Sequence, residues 1–139
     1  MSKDSTSGFA QLASKSSIFT QEKLAEVKRN SKSFLLGLPN EISMQEKRIT
    51  LTPDAVELLV NNGHEVWMET GAGEGSKFRD KQYADAGAKI VYSPEEIYQA
   101  DVILKIEPPT LEEVELISDG KILISAIQLG NQSPDYIKA

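Results

Sequence analysis

The feature that most constrains the fold is a short apolar run that precedes a clearly marked helix start. Residues 34–38 read Phe-Leu-Leu-Gly-Leu without a polar break, and Pro39 follows them directly. A continuous run of this length is typical of a strand buried on both faces of a parallel sheet. Thr52, Pro53 and Asp54 then mark a helix start, because Thr supplies a cap oxygen, Pro fits the first turn and Asp suits the positive helix end. The sequence therefore predicts a buried strand, a polar loop and a helix.

The same strand–helix unit recurs along the chain. Four more predicted strands follow the first, at residues 64–69, 88–92, 101–106 and 121–127. Gly63 and Gly87 end helices, and capping boxes that begin at Ser93 and Thr110 start two more. Strands that alternate with helices across short turns predict right-handed βαβ units. The sequence thus predicts an α/β fold, a Rossmann-like (flavodoxin-like) three-layer sandwich with a mostly parallel sheet.

The sequence predicts that residues 1–32 form a mobile N-terminal arm with a short helix. The segment is rich in Ser and poor in large apolar groups, so it cannot bury enough surface to offset its ordering entropy. Thr20 can cap a short helix over residues 21–30. The arm either packs loosely on the domain or contacts another subunit. The globular domain is predicted over residues 33–139, where the sequence stops within the first turn of a further helix and reads as a fragment.

Composition excludes several classes of function. The 139 residues, 40% hydrophobic and 26% charged, suit one soluble domain. The absence of Cys excludes disulfides, thiolate metal sites and Cys nucleophiles. A net charge of −6 argues against a nucleic-acid surface. No apolar run approaches the roughly 20 residues that span a bilayer, and the N-terminus lacks the apolar core of a signal peptide, so we predict a cytoplasmic protein.

Four polar segments each follow a predicted strand: residues 40–48, 71–76, 105–109 and 128 onward. Ligands of parallel α/β sheets bind beyond the carboxyl ends of the strands, so these segments can line one cleft. Arg48 is the strongest candidate in the cleft, because a guanidinium presents paired donors to a carboxylate and stays charged at any working pH. The alternative for Arg48 is a surface pair with Glu41 or Glu46.

The other candidates are weaker. Lys105 and Glu107 would share a strand face, where they either pair with each other or hold a ligand carbonyl or carboxylate. Residues 71–76 fail the dinucleotide spacing, because Ser76 stands where the third Gly should be, and they predict a flexible loop. His64 is predicted at the edge of the sheet opposite the cleft. Gln128 follows the last strand and can form hydrogen bonds but cannot carry a proton. No metal-ligand cluster and no Ser-His-Asp set is present in the sequence.

Three runs of sequence carry a resemblance to a known family. They are GLPNE with RITLTP in residues 37–53, NNGHEVWMETGAGEGS in residues 61–76 and ADVILKIEPP in residues 100–109. In this order and spacing they resemble the N-terminal domain of alanine dehydrogenase and of the nicotinamide nucleotide transhydrogenase subunit. The likeness runs from about Phe34 to about Asn131. Saccharopine dehydrogenases of the lysine-forming type share the E…R-x-x-LTP element but look less similar further on.

The resemblance implies an NAD(P)-dependent oxidoreductase of two domains. Its first domain binds a small carboxylate such as alanine or pyruvate, and a downstream Rossmann domain, missing here, binds NAD or NADP. The implied reaction is oxidative deamination of L-alanine or a related amino acid to a 2-keto acid, and the fragment alone would be inactive. A homo-oligomer is implied, with no nucleic acid and no membrane unless the protein is of the transhydrogenase type. Arg48 falls on the arginine that binds the substrate carboxylate, and Glu41 on the preceding glutamate.

Two positions depart from the family pattern. Of the two lysines in the K-V-K-E-P segment, the first is retained as Lys105, but Glu107 replaces the second, which contacts substrate. Gln128 replaces the catalytic histidine, which removes a proton shuttle worth roughly 10²–10⁴-fold in rate. The predicted substrate-binding residues are therefore Arg48, Lys105, Glu41, Glu107 and Gln128, with no certain catalytic residue. The alternatives are a transhydrogenase alpha-subunit-type domain and a catalytically silent small-molecule-binding paralogue.

Overall fold

The strands form a single parallel sheet. The computed structural model describes residues 32–126 and 133–138. The strands are β1 (Leu35–Leu38), β2 (Glu65–Glu69), β3 (Lys89–Val91), β4 (Val102–Leu104) and β5 (Ile122–Ile124). All neighbouring strands run parallel, in the order β3-β2-β1-β4-β5. The predicted α/β fold with a parallel sheet is confirmed, and its strand order is that of the Rossmann fold rather than that of flavodoxin.

The helices alternate with the strands. They are α1 (Pro53–Asn61), α2 (Asp80–Asp85), α3 (Pro94–Ile97), α4 (Leu111–Leu116) and α5 (Pro134–Lys138), with a 3-10 turn at Glu74–Ser76. The predicted start of α1 is confirmed, because the Thr52 hydroxyl accepts a hydrogen bond from the Ala55 N–H at 3.4 Å. Gly63 and Gly87 follow α1 and α2 with φ of 90° and 96°, the left-handed conformation that glycine tolerates. None of the helices in the described residues has the length and apolar character that a membrane span requires.

Two apolar cores lie on opposite faces of the sheet. On the first face, α1 and α2 cover the sheet, and the fully buried side chains are Leu38, Val56, Val66, Met68 and Tyr83. On the second face, a smaller core contains Tyr98, Ala100 and Ile103, with the partly buried Leu116 and Leu123 packed against it. Helices on both faces of the sheet give the three layers that the sequence predicts.

The side on which strands are added to the sheet changes between β3 and β4. The chain places β2 and β3 on one side of β1 and then crosses to β4 on the other side. The crossing segment packs closely on β1 at Gly37, where a Cβ atom would lie 2.7 Å from the Ile97 carbonyl oxygen and 2.9 Å from the Ala100 Cβ. Ligands of open parallel sheets bind outside the carboxyl ends of the strands at such a switch point. The loops after β1 and β4 therefore frame the candidate site.

Several predictions fall on residues that are not described. Residues 1–31, 127–132 and 139 lie outside the described residues. The predicted arm with its short helix, the end of the predicted last strand and Gln128 belong to these segments, so all of them stay predictions. The predicted capping box at Ser93 is wrong: Ser93 precedes α3 but forms no capping hydrogen bond, because its hydroxyl bonds to the Glu95 carboxylate instead.

Candidate functional site

Glu41 joins the loop after β1 to the loop after β4 across the switch point. Its carboxylate accepts hydrogen bonds from the backbone N–H groups of Ile106 at 2.6 Å and Glu107 at 3.3 Å. The Lys105 Nζ lies 3.6 Å away, and the Glu41 side chain is 6% exposed. Because both carboxylate oxygens are engaged by protein donors, Glu41 connects two loops and offers little surface to a ligand. The predicted site residue Glu107 takes part in this contact through its backbone.

Lys105 is enclosed by acidic and phenolic groups. Its side chain is 1% exposed, and its Nζ lies 2.9 Å from a carboxylate oxygen of Glu113. The Glu113 carboxylate also accepts hydrogen bonds from the Tyr98 hydroxyl at 2.5 Å and the Thr110 N–H at 2.8 Å. Burial alone would raise the pKa of Glu113, but the hydrogen bonds from Tyr98, Lys105 and Thr110 outweigh it and lower that pKa. Burial, and then the bond to Glu113, raise the pKa of Tyr98.

The Lys105 ammonium points to the second face of the sheet. Successive residues of an extended chain point to opposite faces. Leu104 packs against the core of the first face, whereas Lys105 reaches Glu113 on α4. The carboxylate partners of Lys105 are Glu41 and Glu113, and the predicted pair with Glu107 is not found among the described ion pairs.

Arg48 is the exposed cation of the site. Its side chain is 74% exposed, and its Nε and Nη2 donate to the two carboxylate oxygens of Glu46 at 2.9 Å and 2.6 Å. This bond is the main reason that the pKa of Glu46 falls from its ordinary value of 4.5 to about 2, and it raises the pKa of Arg48. Of the two surface partners that the sequence allows, Arg48 pairs with Glu46. A guanidinium has more donors than one carboxylate uses, so its Nη1 side stays available to a second anion.

Arg48 borders an open cleft of about 520 Å³ on the first face of the sheet. The other residues that line the cleft are Thr50, Leu51, Leu104, Lys105, Ile106, Ile124, Ser125 and Ala126. Most of these side chains are apolar. The buried hydroxyls of Thr50 and Ser125 have no hydrogen-bond partner within the part of the chain that the structure describes. A guanidinium beside an apolar wall suits a small molecule with a carboxylate head and a short apolar body.

Sequence reasoning missed the side chains that hold the Arg48 loop in place. The Tyr83 hydroxyl donates to the Leu51 carbonyl at 2.8 Å, directly before the cap of α1. The Glu69 carboxylate accepts the Asn40 N–H at 2.8 Å, where the loop begins. Tyr83 offered one signal, because it lies on the apolar face of a predicted helix and a buried phenol needs a hydrogen-bond partner. Glu69 offered no such signal in the sequence, because its partner Asn40 lies 29 residues away.

Residues 71–76 are packed, which contradicts the flexible loop that the sequence predicts. They include the 3-10 turn after β2, and the Ser76 hydroxyl donates to the Lys47 carbonyl at 2.6 Å. A dinucleotide needs a glycine turn between the first strand and its helix, but β1 is followed by Pro39 and a polar loop. The described residues therefore lack the dinucleotide fingerprint of a Rossmann domain. They also contain no cluster of His, Asp and Glu that could hold a metal ion.

His64 lies at the amino end of β2, on the side of the sheet away from the strand ends that frame the cleft, as predicted. Its Nδ1 accepts a hydrogen bond from the Phe34 N–H at 3.3 Å, and its ring stacks on the Phe34 ring at 6.0 Å. Both contacts tie the start of β2 to the start of β1. His64 therefore has a structural role at the end of the sheet opposite Arg48.

Known proteins are similar to this chain in sequence. The family model described as alanine dehydrogenase/PNT, N-terminal domain, matches residues 37–139. The alanine dehydrogenase of Bacillus subtilis (strain 168) is 39% identical over 105 residues, which cover 76% of this chain and 28% of the relative. That of Methanococcus maripaludis is 40% identical over 106 residues, with the same 76% and 28%. The chain thus spans about a quarter of the length of the curated relatives it matches.

Two solved structures share the fold. A structure of L-alanine dehydrogenase superposes with a TM-score of 0.70 at 33% identity, covering 74% of this chain and 28% of that protein. A structure of transhydrogenase from Sinorhizobium meliloti superposes with a TM-score of 0.64 at 30% identity, covering 67% of this chain and 28% of that one.

Proposed function

The chain belongs to the alanine dehydrogenase/PNT N-terminal domain family, and we propose that it is the substrate-binding part of an alanine dehydrogenase-like NAD(P)-dependent oxidoreductase. The proposed reaction is oxidative deamination of L-alanine or a related amino acid to a 2-keto acid. The observation that carries the proposal is the exposed Arg48 guanidinium beside an apolar cleft at the carboxyl ends of the strands.

In this proposal Arg48 binds the substrate carboxylate through the donors that Glu46 leaves unused. Glu41 and Lys105 contribute by fixing the loops at the switch point, because both side chains are engaged by protein partners. Gln128 would orient the substrate carbonyl or amine by hydrogen bonding, without transferring a proton. The backbone of Glu107 supports Glu41.

The cofactor, NAD or NADP, would be bound mainly by another part of a longer protein, since the described residues lack a dinucleotide loop. We further propose that residues 33–139 form the domain and residues 1–32 an arm. The protein would act in the cytoplasm as a homo-oligomer, and the chain alone would be inactive.

The test is calorimetry of the full-length protein with pyruvate and with L-alanine. We expect Arg48→Gln to weaken pyruvate binding about 10–100-fold, because charge-assisted hydrogen bonds to the carboxylate are lost. Arg79→Gln is the matched control, since it removes one positive charge from a residue that does not line the cleft. A wild-type protein that binds neither compound, and does not oxidise NADH in the presence of pyruvate and ammonium, contradicts the proposal.

A transhydrogenase-type subunit is the second candidate. It is favoured by Gln128 at the position expected for a histidine and by the likeness to the transhydrogenase structure. In this case the full-length protein would exchange hydride between nicotinamide nucleotides only with partner subunits, and pyruvate would not bind. A catalytically silent paralogue would bind pyruvate or alanine without turnover in either assay.

A further inference from the structure

We propose that Gly75 and Ser76 are positioning residues for Arg48. They contact the backbone of Lys47, the residue directly before Arg48. These contacts fix the position of the backbone from which the Arg48 side chain extends. This inference deepens the proposed function, because it says what keeps the substrate arginine in place. The contacts themselves do not depend on which ligand Arg48 binds.

Two independent contacts hold Lys47. The Ser76 hydroxyl donates to the Lys47 carbonyl oxygen at 2.6 Å. Beside it, the backbone of Gly75 lies so close that a Cβ atom would stand 2.9 Å from the Lys47 Cα and 3.0 Å from its carbonyl oxygen. Both clashing atoms belong to the backbone, which cannot turn aside as a flexible side chain can. Position 75 therefore accepts glycine only, unless the loop that carries Arg48 moves.

The segment that contacts Lys47 is itself firmly anchored. The Asp80 carboxylate on α2 accepts hydrogen bonds from the Thr70 hydroxyl at 2.6 Å and from the Gly71 N–H at 2.9 Å. Gly73 packs against the buried Tyr83, where a Cβ atom would lie 2.7 Å from the ring. The segment is thus tied to α2 and to the first core, and it can transmit their rigidity to the Arg48 loop.

Arg48 needs such support because its own side chain is mostly in solvent. At 74% exposure, its only described side-chain partner is Glu46, which belongs to the same loop. A pair within one loop moves with that loop, so it cannot fix the guanidinium relative to the sheet. The bonds of Glu69 and Tyr83 hold the two ends of the loop, whereas the contacts of Gly75 and Ser76 supply a fixed point directly before Arg48. An arginine ordered before binding loses less conformational entropy when it meets a carboxylate.

The experiment compares Ser76→Ala with Ser33→Ala in the full-length protein. Ser33 is the matched control, because its hydroxyl donates to the Gly63 carbonyl at 2.7 Å, at the other end of the sheet. The first readout needs no ligand: the NMR order parameters of the Lys47 and Arg48 backbone N–H groups, which report how firmly this part of the loop is held. We expect them to fall from the rigid range of about 0.85 toward 0.6 or below in Ser76→Ala, because the bond to the Lys47 carbonyl is lost, and to stay unchanged in Ser33→Ala.

The second readout is the split between KM and kcat for pyruvate. Ser76→Ala should raise KM about fivefold with kcat nearly unchanged, Ser76→Thr should restore the wild-type KM because it keeps the hydroxyl, and Gly75→Ala should raise KM at least as much. Unchanged order parameters of Lys47 and Arg48 in Ser76→Ala, or an equal fall in Ser33→Ala, overturn the inference. If wild-type protein binds no pyruvate, the proposed function fails, while the order parameters still decide the positioning role.

Discussion

Arg48 and Lys105 both follow strands at the switch point, yet their environments give them opposite roles. Arg48 is 74% exposed and paired within its own loop, whereas Lys105 is 1% exposed and enclosed by two carboxylates. The guanidinium keeps unused donors after pairing, but the ammonium is directed into the protein. Of these two cations, Arg48 is therefore the one that a ligand can reach.

We expect Lys105→Met to destabilise the protein by about 3–5 kcal/mol, because the buried Glu41 and Glu113 carboxylates lose their cation. The measurement is urea unfolding of the full-length protein. Lys121→Met is the matched control: its Nζ lies 3.3 Å from Asp101, whose side chain is 51% exposed, so its removal should cost clearly less. Equal effects of the two substitutions would show that the buried network contributes no more than a surface pair.

At the scale of single elements, two short helices begin with similar sequences but different bonds. At α4, the Glu113 N–H donates to the Thr110 hydroxyl at 3.2 Å and the Thr110 N–H donates to the Glu113 carboxylate at 2.8 Å, which completes a capping box. At α3, the Ser93 hydroxyl bonds to Glu95 and leaves the helix N–H groups uncapped by a side chain. The spacing of residues alone did not distinguish the two cases.

Substitution of Thr110 and of Ser93 tests whether only Thr110 stabilises its helix as a cap. We expect Thr110→Ala to lower the free energy of unfolding by about 1 kcal/mol, the usual value of a helix cap, and Ser93→Ala to lower it clearly less. Thermal unfolding of both variants beside the wild type makes the comparison. A larger loss for Ser93→Ala would mean that its bond to Glu95 stabilises α3 more than a cap would.

At the scale of the whole molecule, the sequence predicted the class of fold and the order of its elements, because both depend on local signals. Apolar runs, capped helix starts and glycine stops mark each unit. The strand order and the close contact at Gly37 depend on packing between distant segments, so sequence reasoning left them open. Arg48 was predicted as a binding residue from its chemistry and from the family pattern. The close contact between Gly75 and the Lys47 backbone was missed, because the two residues lie in different loops.

The bond between Glu41 and the loop after β4 has a consequence for how the domain folds. The contacts of Glu41 with Ile106 and Glu107 span 65 and 66 residues of chain, a large loop-closure cost. We therefore expect this contact to form late on the folding pathway, together with the β1–β4 pairing that spans the same separation, so Glu41→Gln should speed unfolding and leave the refolding rate nearly unchanged in stopped-flow measurements. A chain that has folded only as far as β3 would carry Arg48 without a completed cleft, so ligand recognition would begin only when folding is finished.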